Sequence, residues 1–167
     1  AESLGEIVNT VDDERGPAPS ADGKRLFFSS DRSGNSEDDI LVADIIKATL
    51  VPDPSEPEEE PPMHRFSAAK PVDDLNSEAD DVQAALTRRG DHVFLASDRD
   101  RDDESGFGLY LSRVVGGKEL PPEKVDLYIK EGNATDPAVR MEGFDLLFSA
   151  NLETVAATGG ADPESYR

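Results

Sequence analysis

The 167-residue sequence contains no cysteine and no tryptophan, and it has only two histidines. The lack of cysteine excludes disulfide bonds, thiolate metal sites and cysteine nucleophiles. Only His64 and His92 could supply imidazole ligands, so a zinc site is also disfavoured. We therefore expect neither cysteine chemistry nor a zinc centre in this chain.

Long apolar runs are also absent. No stretch approaches the roughly 18 to 20 apolar residues of a membrane-spanning helix, and no charged-then-apolar signal segment opens the sequence. We expect the segment to be soluble. Because it starts without methionine and stops soon after a third repeat has begun, we also expect it to be part of a longer polypeptide.

Basic residues are scarce relative to acidic ones. There are 17 Lys and Arg against 37 Asp and Glu, which gives a formal net charge of −20. This charge repels phosphate backbones and anionic lipid headgroups, so nucleic acid and membrane surfaces are disfavoured as partners. Cations, or proteins with a basic surface, are the expected ligands.

One phrase recurs three times, at residues 21–32, 88–99 and 141–152. Each copy has a turn glycine, Gly23, Gly90 or Gly143, followed by a short apolar run. A tight turn between antiparallel strands favours glycine because it needs a positive φ. Repetition over some 50 to 70 residues is typical of propellers and solenoids, in which one supersecondary unit is copied.

The runs around these glycines predict an all-β protein of antiparallel strands. We place blade-like units at about residues 7–50, 66–115 and 125–167, in one domain. Residues 51–62 are rich in proline and acid and predict an insert loop. Without this insert the two repeat spacings nearly agree, at about the length of a four-stranded propeller blade.

The first unit resembles the TolB-type, WD40-like (PD40) β-propeller repeat. The resemblance rests on the turn at Gly23, the apolar strand after it, the Ser30-Asp31-Arg32 phrase and the Asp39-Ile40-Leu41 strand. The second unit keeps Ser97-Asp98-Arg99. The third keeps Asp136-Pro137 and has Leu152 where the others have arginine.

This resemblance implies an extracytoplasmic protein of the bacterial envelope or periplasm that serves as a non-catalytic interaction scaffold. The alternative is an accessory propeller domain of a peptidase or glycosidase whose catalytic residues lie outside the segment. Three blades cannot close a ring. The remaining blades would come from missing sequence or from self-association. We predict no catalytic and no cofactor-binding residue within the segment.

An acidic loop follows the second apolar strand. Asp98, Asp100, Asp102 and Glu104 place carboxylates at alternate positions, which makes them a candidate calcium site. The sequence departs from an EF-hand loop, because Asp103 replaces the glycine and Leu109 the final glutamate. The competing interpretation is a solvated loop between two strands.

Arg32 and Arg99 occupy equivalent places, next to Asp31 and Asp98. Their repetition predicts a structural role, in which each planar guanidinium fixes the loop after its strand through an ion pair or backbone hydrogen bonds. Ligand binding is the alternative. The predicted structural positions of the repeat are the turn glycines Gly23, Gly90 and Gly143 and the pairs Asp31-Arg32 and Asp98-Arg99.

Overall fold

A computed structural model describes residues 4–32, 37–46, 65–100, 106–127, 133–139 and 146–151 of the chain. Every regular element in these ranges is a β-strand, and all strand pairs are antiparallel. These ranges contain no helix, and so none that could cross a membrane. The predicted all-β antiparallel class is confirmed.

The first sheet has five strands. They are β1 (Glu14–Pro19), β2 (Arg25–Ser30), β3 (Asp39–Ile46), β4 (Arg65–Phe66) and β5 (Lys70–Pro71). The first three lie side by side, and both β4 and β5 pair with the far edge of β3. β1 is an edge strand, which explains how it accommodates Pro17 and Pro19, since an edge strand bonds on one side only.

The second sheet repeats this plan. Its strands are β6 (Asp81–Leu86), β7 (His92–Ser97), β8 (Gly108–Val115), β9 (Lys118–Glu119) and β10 (Glu123–Lys124). β9 and β10 both pair with β8, as β4 and β5 pair with β3. A third sheet consists of β11 (Asn133–Val139) and β12 (Leu146–Asn151). The first sheet thus extends to Pro71 and the second to Lys124.

The apolar runs form strands that are covered on both faces. In β2, five of the six residues are buried, and the neighbouring rings of Phe27 and Phe28 point to opposite sides with at most 1% exposure. Phe27 packs with Ile40, Val93 and Leu95 in a core shared by the first and second sheets. Burial of each such side chain contributes about 1.5–3 kcal/mol relative to an exposed one.

A second core covers the outer face of the first sheet. Phe28 and Leu41 pack there with Val8, which precedes β1, and with Phe66 of β4. A third core joins the second and third sheets, where Leu109 packs with residues of β11 and β12. The sheets are therefore stacked face to face in chain order.

Glycine forms the turns that open β2 and β7. Gly23 and Gly90 both have a φ of +67°. Their N–H groups donate to the carbonyls of Ser20 at 2.9 Å and Thr87 at 2.8 Å. A Cβ would strain this left-handed conformation. Gly143, the third predicted turn glycine, lies outside the described residues.

The first strand of each sheet carries a bulge at the same place. The residues at the bulge are Gly16, Gln83 and Asp136, with φ values of 60°, 58° and 51°. The Gln83 side chain bonds to Asp136 of the next sheet: Oε1 accepts from the Asp136 N–H at 2.9 Å, and Nε2 donates to its carboxylate. Gly16 in turn lies against Gln83. The bulges therefore help to stack β1, β6 and β11.

Candidate functional site

The guanidinium of Arg32 is held inside the first sheet. Its Nε donates to Ser30 Oγ at 3.1 Å, and one terminal nitrogen lies 2.6 Å from the Val8 carbonyl and 2.9 Å from Glu14 Oε1. The central carbon of the guanidinium, Cζ, lies 5.0 Å from the centre of the Phe28 ring. These contacts tie the segment before β1 to the end of β2.

Arg99 makes the corresponding contacts in the second sheet. Nε donates to Ser97 Oγ at 3.0 Å, and a terminal nitrogen lies 2.5 Å from both the Leu75 carbonyl and Asp81 Oδ1. The aromatic partner is Tyr110, 4.8 Å away. Both arginines thus bind to groups of their own sheet and its preceding segment.

The aspartates before these arginines bind the backbone just before the first strand of each sheet. Asp31 Oδ1 accepts from the Asp13 N–H, and Asp98 Oδ1 accepts from the Asp80 N–H, both at 3.0 Å. Each bond joins the end of β2 or β7 to the residue that precedes β1 or β6. The four predicted repeat residues therefore have matching positions in the two sheets.

Two hydrogen bonds join the first sheet to the second at Asp38. Its N–H donates to Asp80 Oδ1 at 2.8 Å, and its carbonyl accepts from the Asp81 N–H at 2.7 Å. Nearby, the Asn76 side chain binds the backbone of Ile40, accepting from its N–H at 2.8 Å and donating to its carbonyl at 3.0 Å. The start of the second sheet and the segment before it thus bind the backbone at the start of β3.

The same joint occurs between the second and third sheets. The Phe107 N–H donates to Asn133 Oδ1 at 2.8 Å, and its carbonyl accepts from the Ala134 N–H at 2.7 Å. Asn133 therefore stands where Asp80 stands one sheet earlier. The joint requires an oxygen acceptor at this position, and an amide serves as well as a carboxylate.

Carboxylates from several loops converge at the end of the sheets where these joints lie. We define the acidic rim as Asp13, Asp31, Glu37, Asp38, Asp80 and Asp98. Asp80, and to a lesser degree Asp98 and Asp38, raise the pKa of Glu37 by like-charge repulsion. The rim therefore concentrates negative charge contributed by both the first and the second sheet.

Asp38 is the buried member of the rim. It is 7% exposed, and its Oδ1 has no hydrogen-bond partner in the part of the chain that the structure describes, whereas Oδ2 lies 3.1 Å from Arg15. Burial raises its pKa, and the rim carboxylates Asp80, Asp31 and Asp13 add to this effect against the opposing charge of Arg15. Ionised Asp38 is therefore an unfavourable feature of the folded chain.

The four predicted calcium ligands are only partly within the described residues. Asp98 bonds to the backbone before β6, whereas Asp100 Oδ2 accepts from the Tyr110 hydroxyl at 2.7 Å and lies 3.5 Å from Lys124 Nζ. The bond from Tyr110 lowers the pKa of Asp100. Asp102 and Glu104 lie outside the described residues. Within those ranges no three acidic or histidine side chains are grouped as a metal site would require.

Reasoning from the sequence missed the acidic partners of the arginines, Glu14 and Asp81, and the amide of Asn76. A signal for the first two was present. Thr10 bonds to Glu14 four residues later, and Ser77 bonds to Asp81 at the same spacing. A hydroxyl followed four residues later by an acid at the start of a strand marks this position in both sheets.

No protein-family model matches the sequence, and no curated protein is significantly similar to it. The resemblance to the PD40 repeat therefore stays a prediction based on the motifs of the sequence.

Proposed function

We propose that this chain is part of a β-propeller that acts as a non-catalytic protein-interaction scaffold. Two sheets of the same strand order support the propeller, as do the matching joints at Asp38 and Phe107. Stacking of similar antiparallel sheets through their faces is the packing of propeller blades. Three such sheets do not close a ring, and further blades come from sequence outside the segment or from other chains.

The acidic rim is the observation that carries the proposed binding function. Its carboxylates come from loops of two sheets. Repulsion from Asp80 raises the pKa of Glu37, and burial, together with the neighbouring rim carboxylates, raises the pKa of Asp38. A surface of one sign attracts partners of the opposite sign and accelerates their association. The favoured partner is a protein with a basic surface. The resemblance to the PD40 repeat supports a location in the bacterial envelope or periplasm.

A charge-neutralised variant tests this function without disturbing the joints. We choose Asp31→Asn, Asp80→Asn and Asp98→Asn together, because asparagine keeps the oxygen acceptor, as Asn133 does in the third sheet. The matched control carries the same change at three exposed aspartates outside the rim, Asp44, Asp73 and Asp126. Both variants lose the same number of charges.

The measurement is the fluorescence anisotropy of a labelled decalysine peptide at low and at physiological salt. We expect the rim variant to bind at least about fivefold more weakly than the control variant, with a smaller salt dependence. Equal binding by the two variants would show that net charge, rather than the rim, attracts the peptide. Circular dichroism checks that both variants are folded.

A further inference from the structure

A cleft of about 460 Å³ lies on the second sheet, at the end opposite the acidic rim. It is lined by His92, Leu111, Arg113, Leu120, Pro121, Glu123, Lys124 and Val125. Leu111 and Arg113 follow Leu109 at alternate positions of β8, so they lie on the face that Leu109 turns toward the third sheet. The cleft thus occupies the part of this face that β11 and β12 leave uncovered.

The corresponding face of the first sheet is occupied, and it shows what such a face binds. Arg25, the first residue of β2, pairs there with Glu119 of the second sheet at 2.9 Å. Their side chains are only 27% and 8% exposed. Val42 of β3 and Val114 of β8 pack against the core between these two sheets. The first sheet therefore accepts the β8–β9 hairpin, with its carboxylate and its aliphatic side chains.

The cleft has the same strand geometry as this face of the first sheet, but the two equivalent positions carry more positive side chains. His92 stands where Arg25 stands, and the residue opposite it on the next strand is Arg113, whereas Arg25 is opposite Asp44. No carboxylate of the described residues pairs with Arg113. The lining also contains one carboxylate, Glu123, while His92 pairs with Asp91 at 3.1 Å and Lys124 with Asp100 at 3.5 Å. Arg113 is therefore the cation beside the apolar floor that an incoming carboxylate can bind.

We propose that this cleft is a docking site for an acidic β-hairpin, a strand pair with one carboxylate near its turn and aliphatic residues beside it. The carboxylate binds Arg113, and the aliphatic side chains cover Leu111 and Leu120. Charge complementarity and the Arg25–Glu119 contact both point to this occupant. A basic segment would be repelled by Arg113. The partner differs from the basic one attracted by the acidic rim.

A hairpin copied from the chain itself is the probe. Residues 114–119, in which Val114 pairs with Glu119 and Val115 with Lys118, are closed into a cyclic peptide by a D-Pro-Gly turn, so that the hairpin is preformed. A second peptide has Gln in place of the glutamate. This control is more positive, so nonspecific attraction to the acidic chain would favour it. Binding is followed by calorimetry and by NMR shifts at Leu111 and Leu120.

We expect the Glu peptide to bind at least about tenfold more tightly than the Gln peptide, because a charged hydrogen bond is lost. Arg113→Gln is expected to weaken binding at least about fivefold, whereas Arg89→Gln, an exposed arginine outside the cleft, leaves it unchanged. Equal affinities for the two peptides, or no shifts at millimolar peptide, would overturn the proposal. The rim variant keeps this binding, so failure of the acidic-rim function is distinguishable from failure here.

Discussion

Replacement of Arg99 by alanine is the most direct test of the repeated arginine contacts. The change would remove the partner of Asp81, whose side chain has no exposed surface, while Arg99 itself is 16% exposed. It would also remove the donor to the Leu75 carbonyl and the cation that faces Tyr110. A buried carboxylate left without its cation costs about 3–5 kcal/mol.

The structure places the expected loss at the lower end of this range. Asp81 Oδ2 keeps two hydrogen bonds from Ser77, at 2.6 Å from its N–H and 2.8 Å from its hydroxyl. We therefore expect Arg99→Ala to lower the free energy of unfolding by about 3 kcal/mol. Arg32→Ala is the matched comparison. Its acid, Glu14, is 12% exposed, so water compensates partly and the expected loss is about 2 kcal/mol.

Urea unfolding followed by far-UV circular dichroism measures both losses. Adding Asp81→Asn to Arg99→Ala is expected to restore part of the stability, because no charge is then left buried. Arg99→Lys keeps the positive charge but lacks the planar guanidinium, so its free energy of unfolding is expected to lie between those of the wild type and Arg99→Ala. This variant supplies the comparison if the alanine variant does not fold. A loss below about 1 kcal/mol, or no gain from Asp81→Asn, would refute the reasoning.

Two further predictions concern stability. Burial raises the pKa of Asp38 above its unfolded value, so its ionisation lowers stability at neutral pH, and this cost disappears as the pH falls through the folded pKa. Asp38→Asn is therefore expected to raise the urea midpoint at pH 7 and to have little effect near pH 3; a pH-independent difference would contradict this. Gly16→Ala is expected to lower the melting temperature more than Gly23→Ala. Both residues have a positive φ, but a Cβ at residue 16 would lie 3.1 Å from Gln83 Cα, whereas a Cβ at residue 23 would have no atom of the described residues within 4 Å.

The sequence predicted the central strands better than the edges. β2 and β7 are the apolar runs that follow Gly23 and Gly90, because a turn glycine followed by a continuous apolar run marks a strand covered on both faces. β1 contains Pro17 and Pro19, which disguise an edge strand. β4, β5, β9 and β10 have two residues each, too few for any periodic pattern. Their pairing is decided by the long strand beside them.

The candidate site was less accessible from the sequence. The equivalence of Arg32 and Arg99 is visible in the repeat, but their acids lie 18 residues earlier, at the start of strands with no strong pattern of their own. The composition predicted an acidic protein but did not show where its carboxylates cluster. The rim is assembled from separate loops, and only the stacking of the sheets brings Glu37 close to Asp80.

The joint between sheets gives the array a direction. Each joint pairs the backbone of the residue before one sheet's third strand with a side chain before or at the start of the first strand of the next, as Asp38 pairs with Asp80 and Phe107 with Asn133. The two sides of a joint are chemically different, so two identical faces cannot satisfy each other. Contacts of this type are heterologous, and assemblies built through them grow head to tail, into a ring or an open chain. A symmetric dimer of this chain would have to use a different surface.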